Sequence, residues 1–465
     1  MAASEARKIK DFTSGPLLSR IILFSLPLIA TSVLNLLFNT ADTIVVGRWG
    51  GETPEASAIA LAAVGSCGAL INLIINLFMG LSIGAGVCVA HAIGAKHYEE
   101  LDRIVHTSVI AAAVGGVIVS VFGYCMAEPL LRLMGTEESV LFEAVPYMKA
   151  YFMGMTASMI YNYCASILRS MGDTIRPLLF LSVSGVVNVG LNLVMVLGFH
   201  QGARGVGIAT AASQWVSCIL ILWYMTRKTS PCRIQLGHLR VNGKTLRKIV
   251  AIGIPAGLQG MLFSISNVTI QASINSLGKT VVAGHTAASN LNGYIYATQN
   301  AIYSAALTFV GQNVGAHKFD RIKKSSFYCL GIVTVIGVLV GGAMTIFGKQ
   351  LLSLYAPGNL AVIEKGMINL RLVGLTHFIC GIMEVGCGCV RGMGKSFTTT
   401  VISLLGSCVS RVIWVITVFP LAPIGLEQQT LYLCYPISWA ITAIAHFAVF
   451  FMILRKIKQQ RTLSY

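Results

Sequence analysis

Long apolar stretches recur through almost the whole chain, and this feature limits the fold more than any other. Each stretch is long enough to cross the hydrocarbon core of a bilayer, which takes about 20 residues of helix. Hydrophobic residues make up 55% of the 465 residues and charged residues only 11%, whereas an average soluble domain has about 25% charged residues. The chain is therefore predicted to be an integral membrane protein.

We expect twelve transmembrane segments. Backbone polar groups in lipid must be satisfied within the segment, and the stretches lack the alternation of barrel strands, so the pattern predicts helices and an all-α polytopic fold. The predicted spans are 17–46, 57–90, 104–126, 146–168, 178–199, 205–226, 248–275, 281–311, 326–347, 366–390, 398–419 and 431–454.

The basic residues are distributed unevenly between the two sides of this predicted topology. With a cytoplasmic N-terminus, that side holds the basic connection 227–248, the tail 455–461 and the N-terminal residues Arg7, Lys8, Lys10 and Arg20. The excess over the opposite side is about three to one, which predicts that both termini are cytoplasmic and that the protein is a multi-pass protein of the plasma (inner) membrane. The net charge of +17 then reflects topology, and we expect no nucleic-acid partner.

The two halves of the chain resemble each other. Pro27 aligns with Pro255, and Gly172, in ILRSMGDT, aligns with Gly394, in CVRGMGKS. Six spans in each half predict two parallel repeats, an arrangement found in transporters whose substrate site lies between the halves. We expect an N-lobe at 1–228, a basic linker at 229–247 and a C-lobe at 248–465. A duplicated bundle without transport activity is the alternative.

Asp42 is an acid deep inside a predicted span. A carboxylate at mid-membrane costs about 2.5 to 3.5 kcal/mol on insertion scales, so such a residue generally faces the bundle or a cavity. Asn39 lies one turn before it, and Asn188 and Asn192 lie one turn apart in span 5. If hydration changes between two states, a carboxyl group here can bind and release a proton. The alternative is a structural acid bonded to neighbouring helices.

A second deep acid, Glu384, occupies the repeat position of Asn162. Arg411 in span 11 is the cation that we place deep inside a span, and we expect it to pair with Glu384. Such a pair is either structural or part of a proton site. Cys387 and Cys389 point to different faces of one helix, so we expect no metal site there, and no cofactor.

Four segments together resemble the multidrug and toxic compound extrusion (MATE) family, with its DinF-like branch the most similar. They are FNTADTIVVGRWG in span 1, ILRSMGDTIRP after span 4, NVGLN in span 5 and GARGVGIATAASQ at the start of span 6. The resemblance covers essentially the whole chain. It implies a V-shaped bundle of two six-helix lobes, expected to be monomeric, that exports amphipathic and often cationic compounds in exchange for protons or sodium ions.

The resemblance also implies a coupling site in the N-lobe. The family's span 1 aspartate falls on Asp42, and its span 5 pattern of asparagine, three residues and aspartate falls on Asn188 and Asn192. A span 4 asparagine and a span 6 threonine fall on Asn162 and Thr210. Asn192 departs from the family pattern because a carboxamide replaces a carboxylate. A sodium ion bound at Asp42 and Asn188 would have one carboxylate fewer nearby than the family pattern provides. We therefore favour the proton as the coupling ion.

Two other functions are alternatives to transport of drugs. A lipid-linked precursor flippase of the same superfamily would need a strongly basic cavity, and the spans hold one deep arginine. A membrane-embedded enzyme would need a catalytic motif; HExxH does not occur, and the one GxSxG match, GLSIG at 80–84, lies inside predicted span 2 and not at the strand-to-helix turn that this motif requires. The sequence therefore favours a transporter that is not an enzyme.

Overall fold

The structure is a computed structural model, and it describes residues 9–227, 230, 232–235, 237 and 239–462. Arg7, Lys8 and Lys228, and residues 229, 231, 236 and 238 of the predicted linker region, lie outside the described residues. Within the described ranges the chain forms helices and no strand. The α-helices are α1 (Leu17–Trp49), α2 (Pro54–Gly94), α3 (Tyr98–Leu133), α4 (Glu138–Met153), α5 (Met155–Ser170), α6 (Ile175–Leu193), α7 (Gly202–Thr226), α8 (Gly243–Ser276), α9 (Lys279–Gly315), α10 (Phe319–Ile346), α11 (Gly348–Tyr355), α12 (Leu360–Asn369), α13 (His377–Gly392), α14 (Ser396–Ser403), α15 (Ser410–Thr417), α16 (Glu427–Tyr432) and α17 (Cys434–Thr462).

Shorter helical segments complete the fold. Three π-helical turns continue α6, α12 and α14, at Val194–Gly198, Leu370–Gly374 and Leu404–Val409. A 3₁₀ turn spans Phe419–Leu421. A π turn adds one residue to a helical turn and so rotates every side chain after it.

Nine helices within the described residues are long and apolar enough to cross a membrane, and the bent pair Leu360–Gly374 and His377–Gly392 raises the number to ten. The prediction of an all-α membrane protein is confirmed. The nine correspond to predicted spans 1 to 3, 5 to 7, 9, 11 and 12, and the bent pair corresponds to span 10. The count of twelve stays a prediction.

Predicted span 4 is two helices rather than one. Helices α4 and α5 meet at Gly154, where a Cβ would lie 2.6 Å from the Cα atom of Ala211 in α7. A glycine here allows α7 to approach the break closely. Predicted span 10 is likewise interrupted, by the π turn Leu370–Gly374 and a bend of 40°.

The duplicated sequence folds into duplicated structure. Helices α3, α5 and α6 of the first half correspond in order to α10, α13 and α14 of the second. The turn before α3 holds Lys96 at φ 58° and the turn before α10 holds His317 at φ 54°. The turns after α5 and α13 hold Gly172 at φ 84° and Gly394 at φ 80°. These matching left-handed residues support the two-repeat alignment made from the sequence.

The chain forms two compact units. The first contains the described part of residues 1–11 and residues 30–257, and the second contains residues 12–29 and 258–465 as far as they are described. The first unit has one continuous apolar core, which includes Tyr163, Met148 and Leu101. The second has three smaller apolar clusters.

The first helix is shared between the two units. Its N-terminal part, together with the preceding residues, packs in the second unit, where the Phe12 ring stacks on Phe309 with centroids 4.1 Å apart. The backbone N–H of Phe12 donates to Oε1 of Gln312 at 2.9 Å. From Ala30 onward, α1 belongs to the first unit. This division differs from the lobes expected from the repeats, which remain a prediction about the duplicated sequence.

Candidate functional site

Asp42 lies in α1 and is half-buried. The side-chain amide of Asn192 in α6 donates a hydrogen bond to Oδ1 of Asp42. The same Nδ2 lies 3.4 Å from Oδ1 of Asn188, and Nδ2 of Asn188 lies 3.4 Å from Oγ1 of Thr210 in α7. Four of the six residues expected in the coupling site therefore form one polar chain across α1, α6 and α7.

Local structure explains why these side chains meet. Asp173 accepts the backbone N–H of Arg176 at 3.2 Å, which satisfies one of the free donors where α6 begins. A Cβ at Gly185 would lie 1.9 Å from the Phe38 ring, so glycine lets α1 come close to α6. Asp42 follows Phe38 by one turn and thereby reaches Asn192.

One acceptor in this group lacks a partner. Asn192 is fully buried, and its Oδ1 has no hydrogen bond from any described residue. A buried acceptor without a donor costs about 1 to 3 kcal/mol. The π turn that begins at Val194 follows immediately, and such turns are frequent at functional sites.

Asn39 and Asn162 are not joined to this group by a hydrogen bond in the described part of the chain. Asn39 is exposed, and its backbone oxygen accepts from Oγ1 of Thr43 at 2.8 Å. Asn162 donates within its own helix to the backbone oxygen of Ser158 at 2.8 Å, and it lines a small cavity with Phe78.

Two tyrosines of α4 lie near the carboxylate. Tyr147 and Tyr151 both interact electrostatically with Asp42, and their ring centroids are 6.2 Å apart. Their proximity to Asp42 depends on the packing of α4, which the sequence pattern does not specify.

Glu384 and Arg411, which the sequence predicts to pair, form no salt bridge with each other among the described contacts of this structure. Nε of Arg411 donates to Oγ of Ser438 at 2.9 Å, and its guanidinium lies 4.6 Å from the Tyr435 ring centroid. Neither residue forms a salt bridge within the described ranges. The physical reason is the π turn Leu404–Val409, which rotates the following α15 and directs Arg411 towards α17.

Arg391 is the cation that acts electrostatically on Glu384. It lies two helical turns later in α13 and is only 4% exposed. Its guanidinium donates to Tyr303 Oη at 2.5 Å and to Gln259 Oε1 at 2.7 Å. Arg391 directly follows the last residue of predicted span 10, so its burial was not expected from the sequence. Arg391 follows Glu384 by seven residues, which is about two helical turns, and this spacing indicates that the two side chains share a helix face.

The second unit also contains a polar cavity of about 370 Å³. His285 lines it, with Nδ1 3.2 Å from both Tyr432 Oη and Asn369 Nδ2. Nδ2 of Asn292 donates to Oδ1 of Asn369 at 2.8 Å. This network was not predicted from the sequence, although His285 and His377 are polar residues inside predicted spans.

The donor set around Asp42 suits a proton or a hard cation better than a transition metal. Across the residues that the structure describes, no group of three or more His, Cys, Asp or Glu side chains could hold a metal ion. The side-chain oxygens of Asp42, Asn188, Asn192 and Thr210 are the type of ligand that sodium accepts, and Asp42 contributes their one negative charge.

The sequence model of the MatE family matches residues 27–194 and 255–417. Probable multidrug resistance protein YoeA of Bacillus subtilis (strain 168) is 26% identical over 449 residues, which cover 93% of this chain and 93% of that protein. Probable multidrug resistance protein YpnP of the same strain is 28% identical over 87% of this chain and 89% of its own length. The crystal structure of MATE in the bent conformation superposes with a TM-score of 0.88 at 21% identity, over 97% of this chain and 98% of that one. The structural likeness shows a common fold.

Proposed function

The chain belongs to the MatE family, and from this premise we propose that it is a secondary multidrug transporter that exports amphipathic, often cationic compounds in exchange for protons. The names of the two Bacillus relatives support drug export as the function. Sodium is the alternative coupling ion. We further propose that the protein is not an enzyme. We propose that it is a monomer in the plasma membrane with both termini in the cytoplasm.

The observation that carries the proposal is the bond between Asp42 and Asn192. When Asp42 is ionised, it accepts from the Asn192 amide, and Oδ1 of Asn192 has no donor among the described residues. A proton turns Asp42 into a donor. Rotation of the Asn192 amide can then present Oδ1 to it, which satisfies the buried acceptor and changes the bond to Asn188. Protonation at Asp42 is thereby linked to the contact between α6 and α7.

The charge of the site favours a proton over sodium. Sodium binding gains from negative charge as well as from oxygen ligands, and here one carboxylate is surrounded by neutral amides and a hydroxyl. A proton needs only the one titratable group. Exchange of one proton for one monovalent cation is electroneutral, so a pH difference of one unit would supply about 1.4 kcal/mol, or roughly tenfold accumulation.

We propose Glu384 as a second titratable group of the transport cycle. It is half-buried and interacts with Arg391 rather than with Arg411. Because the partners of Arg391 include Tyr303 in α9, a change in the charge of Glu384 would alter the contact between α13 and α9. This role is separate from proton binding at Asp42.

The test is uptake of a fluorescent organic cation into proteoliposomes that contain the purified protein, under an imposed pH gradient and, separately, under an imposed sodium gradient. Uptake driven by the pH gradient alone is the expected result. Uptake driven by sodium alone would contradict the assignment of the coupling ion, and uptake under neither gradient would contradict the proposed transport of cations. Empty liposomes provide the control for passive leakage.

A further inference from the structure

A basic pocket lies where the connection between α7 and α8 packs against the start of α3. It has a volume of about 460 Å³ and is lined by Asp102, Arg103, His106, Arg233, Gln235, Arg240, Val241 and Asn242. All of these residues belong to the first compact unit. None of them has a part in the proposed coupling site.

Buried side chains of α3 hold the connection in place. The backbone N–H of Gln235 donates to Nε2 of His106 at 3.1 Å, and Nδ1 of His106 lies 2.7 Å from the backbone oxygen of Asp102. Nδ1 must therefore carry the proton and donate. The backbone N–H of Asn242 donates to Oγ1 of Thr107 at 3.2 Å, and Thr107 is fully buried. These hydrogen bonds hold the connection against α3 and so shape the pocket.

The charge of the lining is positive. Three guanidinium groups, of Arg103, Arg233 and Arg240, face one carboxylate, that of Asp102. Arg103 also lies 3.7 Å from the exposed carboxylate of Glu99. Arg233 and Arg240 have no ion pair with any described residue.

The start of α8 adds to this positive potential. Oδ1 of Asn242 accepts the backbone N–H of Thr245 at 3.0 Å and so caps the helix, which begins at Gly243. The N-terminal end of a helix carries a partial positive charge. The cap itself is satisfied, so the arginines provide the main attraction for an anion.

We propose that the basic pocket binds a phosphate group. Planar guanidinium groups match phosphate oxygens in bidentate geometry, and the volume accommodates a phosphate with a substituent. The positive-inside rule explains why arginines occur in this connection, but it does not require two of them to line one pocket together with Arg103 of α3. The phosphate can come from the headgroup of an anionic lipid or from a soluble phosphate ester.

The experiment compares the full-length protein with the double variant Arg233→Gln/Arg240→Gln. A control double variant, Lys323→Gln/Lys324→Gln, removes the same charge from exposed positions of α10 in the second unit. Native mass spectrometry measures the binding of dioleoylphosphatidylglycerol, with dioleoylphosphatidylcholine as the neutral lipid. Thermal unfolding measures stabilisation by inorganic phosphate against sodium chloride at equal ionic strength.

We expect the arginine variant to bind the effective phosphate probe roughly a hundredfold more weakly, about tenfold for each guanidinium lost, and the lysine variant to bind it as the original chain does. Arginine-dependent binding of phosphatidylglycerol that millimolar phosphate does not displace identifies a lipid headgroup. Arginine-dependent stabilisation by phosphate without lipid binding identifies a soluble ligand. If neither probe binds, or if both double variants weaken binding equally, the proposal is overturned. None of these measurements involves transport, so they are independent of the proposed function.

Discussion

At the residue scale, Asp42 is unusual because its described hydrogen bond comes from an amide and not from a cation. An arginine or lysine partner would hold a carboxylate permanently ionised. An amide partner stabilises the charge less strongly, and Asn192 can exchange its donor for its acceptor by rotation. The residue types therefore suit a carboxyl group that binds and releases a proton during a cycle.

The first prediction concerns Asp42→Asn. We expect the variant to lose uptake driven by the pH gradient, to the level of empty liposomes, because an amide cannot carry the exchanged proton. It should fold normally, since asparagine has almost the same shape and can still bond to Asn192. Glu128→Gln, which neutralises a partly exposed acid of α3, is the matched control and should retain uptake. Full activity in Asp42→Asn would contradict the proton role of Asp42.

The second prediction concerns Asn192→Asp. Two adjacent carboxylates repel each other, and a bound cation relieves that repulsion, so we expect sodium-driven uptake to increase with roughly tenfold tighter sodium binding. Asn162→Asp is the matched control, because Asn162 bonds to Ser158 in its own helix and not to Asp42. The measurement is uptake as a function of sodium concentration. An equal response of the two variants would show that the effect does not depend on contact with Asp42.

At the element scale, helix regularity decides which contacts the sequence could predict. Asn188 and Asn192 lie one turn apart in regular α-helix, before the π turn at Val194, and their shared face was correctly expected. Arg411 follows a π turn, whose extra residue rotates later side chains by about 100°. Hydrophobicity alone does not reveal that insertion, so the sequence pattern could not indicate that Arg411 bonds to Ser438.

The third prediction uses α13, which carries both Glu384 and Arg391. Arg391→Gln should lower the free energy of unfolding by about 3 kcal/mol or more, because Tyr303 and Gln259 lose a buried charged donor. Glu384→Gln should be non-additive with Arg391→Gln, by at least about 0.5 kcal/mol, and additive with Arg411→Gln.

The measurement for this double-mutant cycle is thermal unfolding of purified variants in one detergent. Arg411→Gln is the matched control, since it also removes a buried arginine of the second unit. Coupling of Glu384 to Arg411 and not to Arg391 would restore the pair expected from the sequence and contradict the contacts described here.

At the scale of the whole molecule, the duplication could be predicted and the division into compact units could not. Gly172 and Gly394 align in sequence and adopt the same left-handed conformation, because a local turn is specified by local residues. The packing of residues 12–29 in the second unit depends on contacts with residues nearly 300 positions away, such as Phe309. Nothing in the pattern of α1 distinguishes its two parts, since both are apolar.

The fourth prediction tests this sharing of α1. Phe12 is 2% exposed, stacks on Phe309 and makes an edge contact with Phe24. Phe12→Ala should therefore destabilise the second unit by roughly 3 kcal/mol or more. Hydrogen–deuterium exchange read by mass spectrometry should show faster exchange at the end of α9 while α5, in the first unit, is unchanged.

Leu23→Ala is the matched control for Phe12→Ala, because Leu23 is 68% exposed and its truncation opens no cavity. It should leave exchange in both helices as it is in the original chain. Faster exchange of α5 in Phe12→Ala, with α9 unaffected, would mean that Phe12 supports the first unit instead. Equal acceleration of both helices would mean that the two units unfold together, because loss of a contact confined to one independently stable unit leaves the other protected.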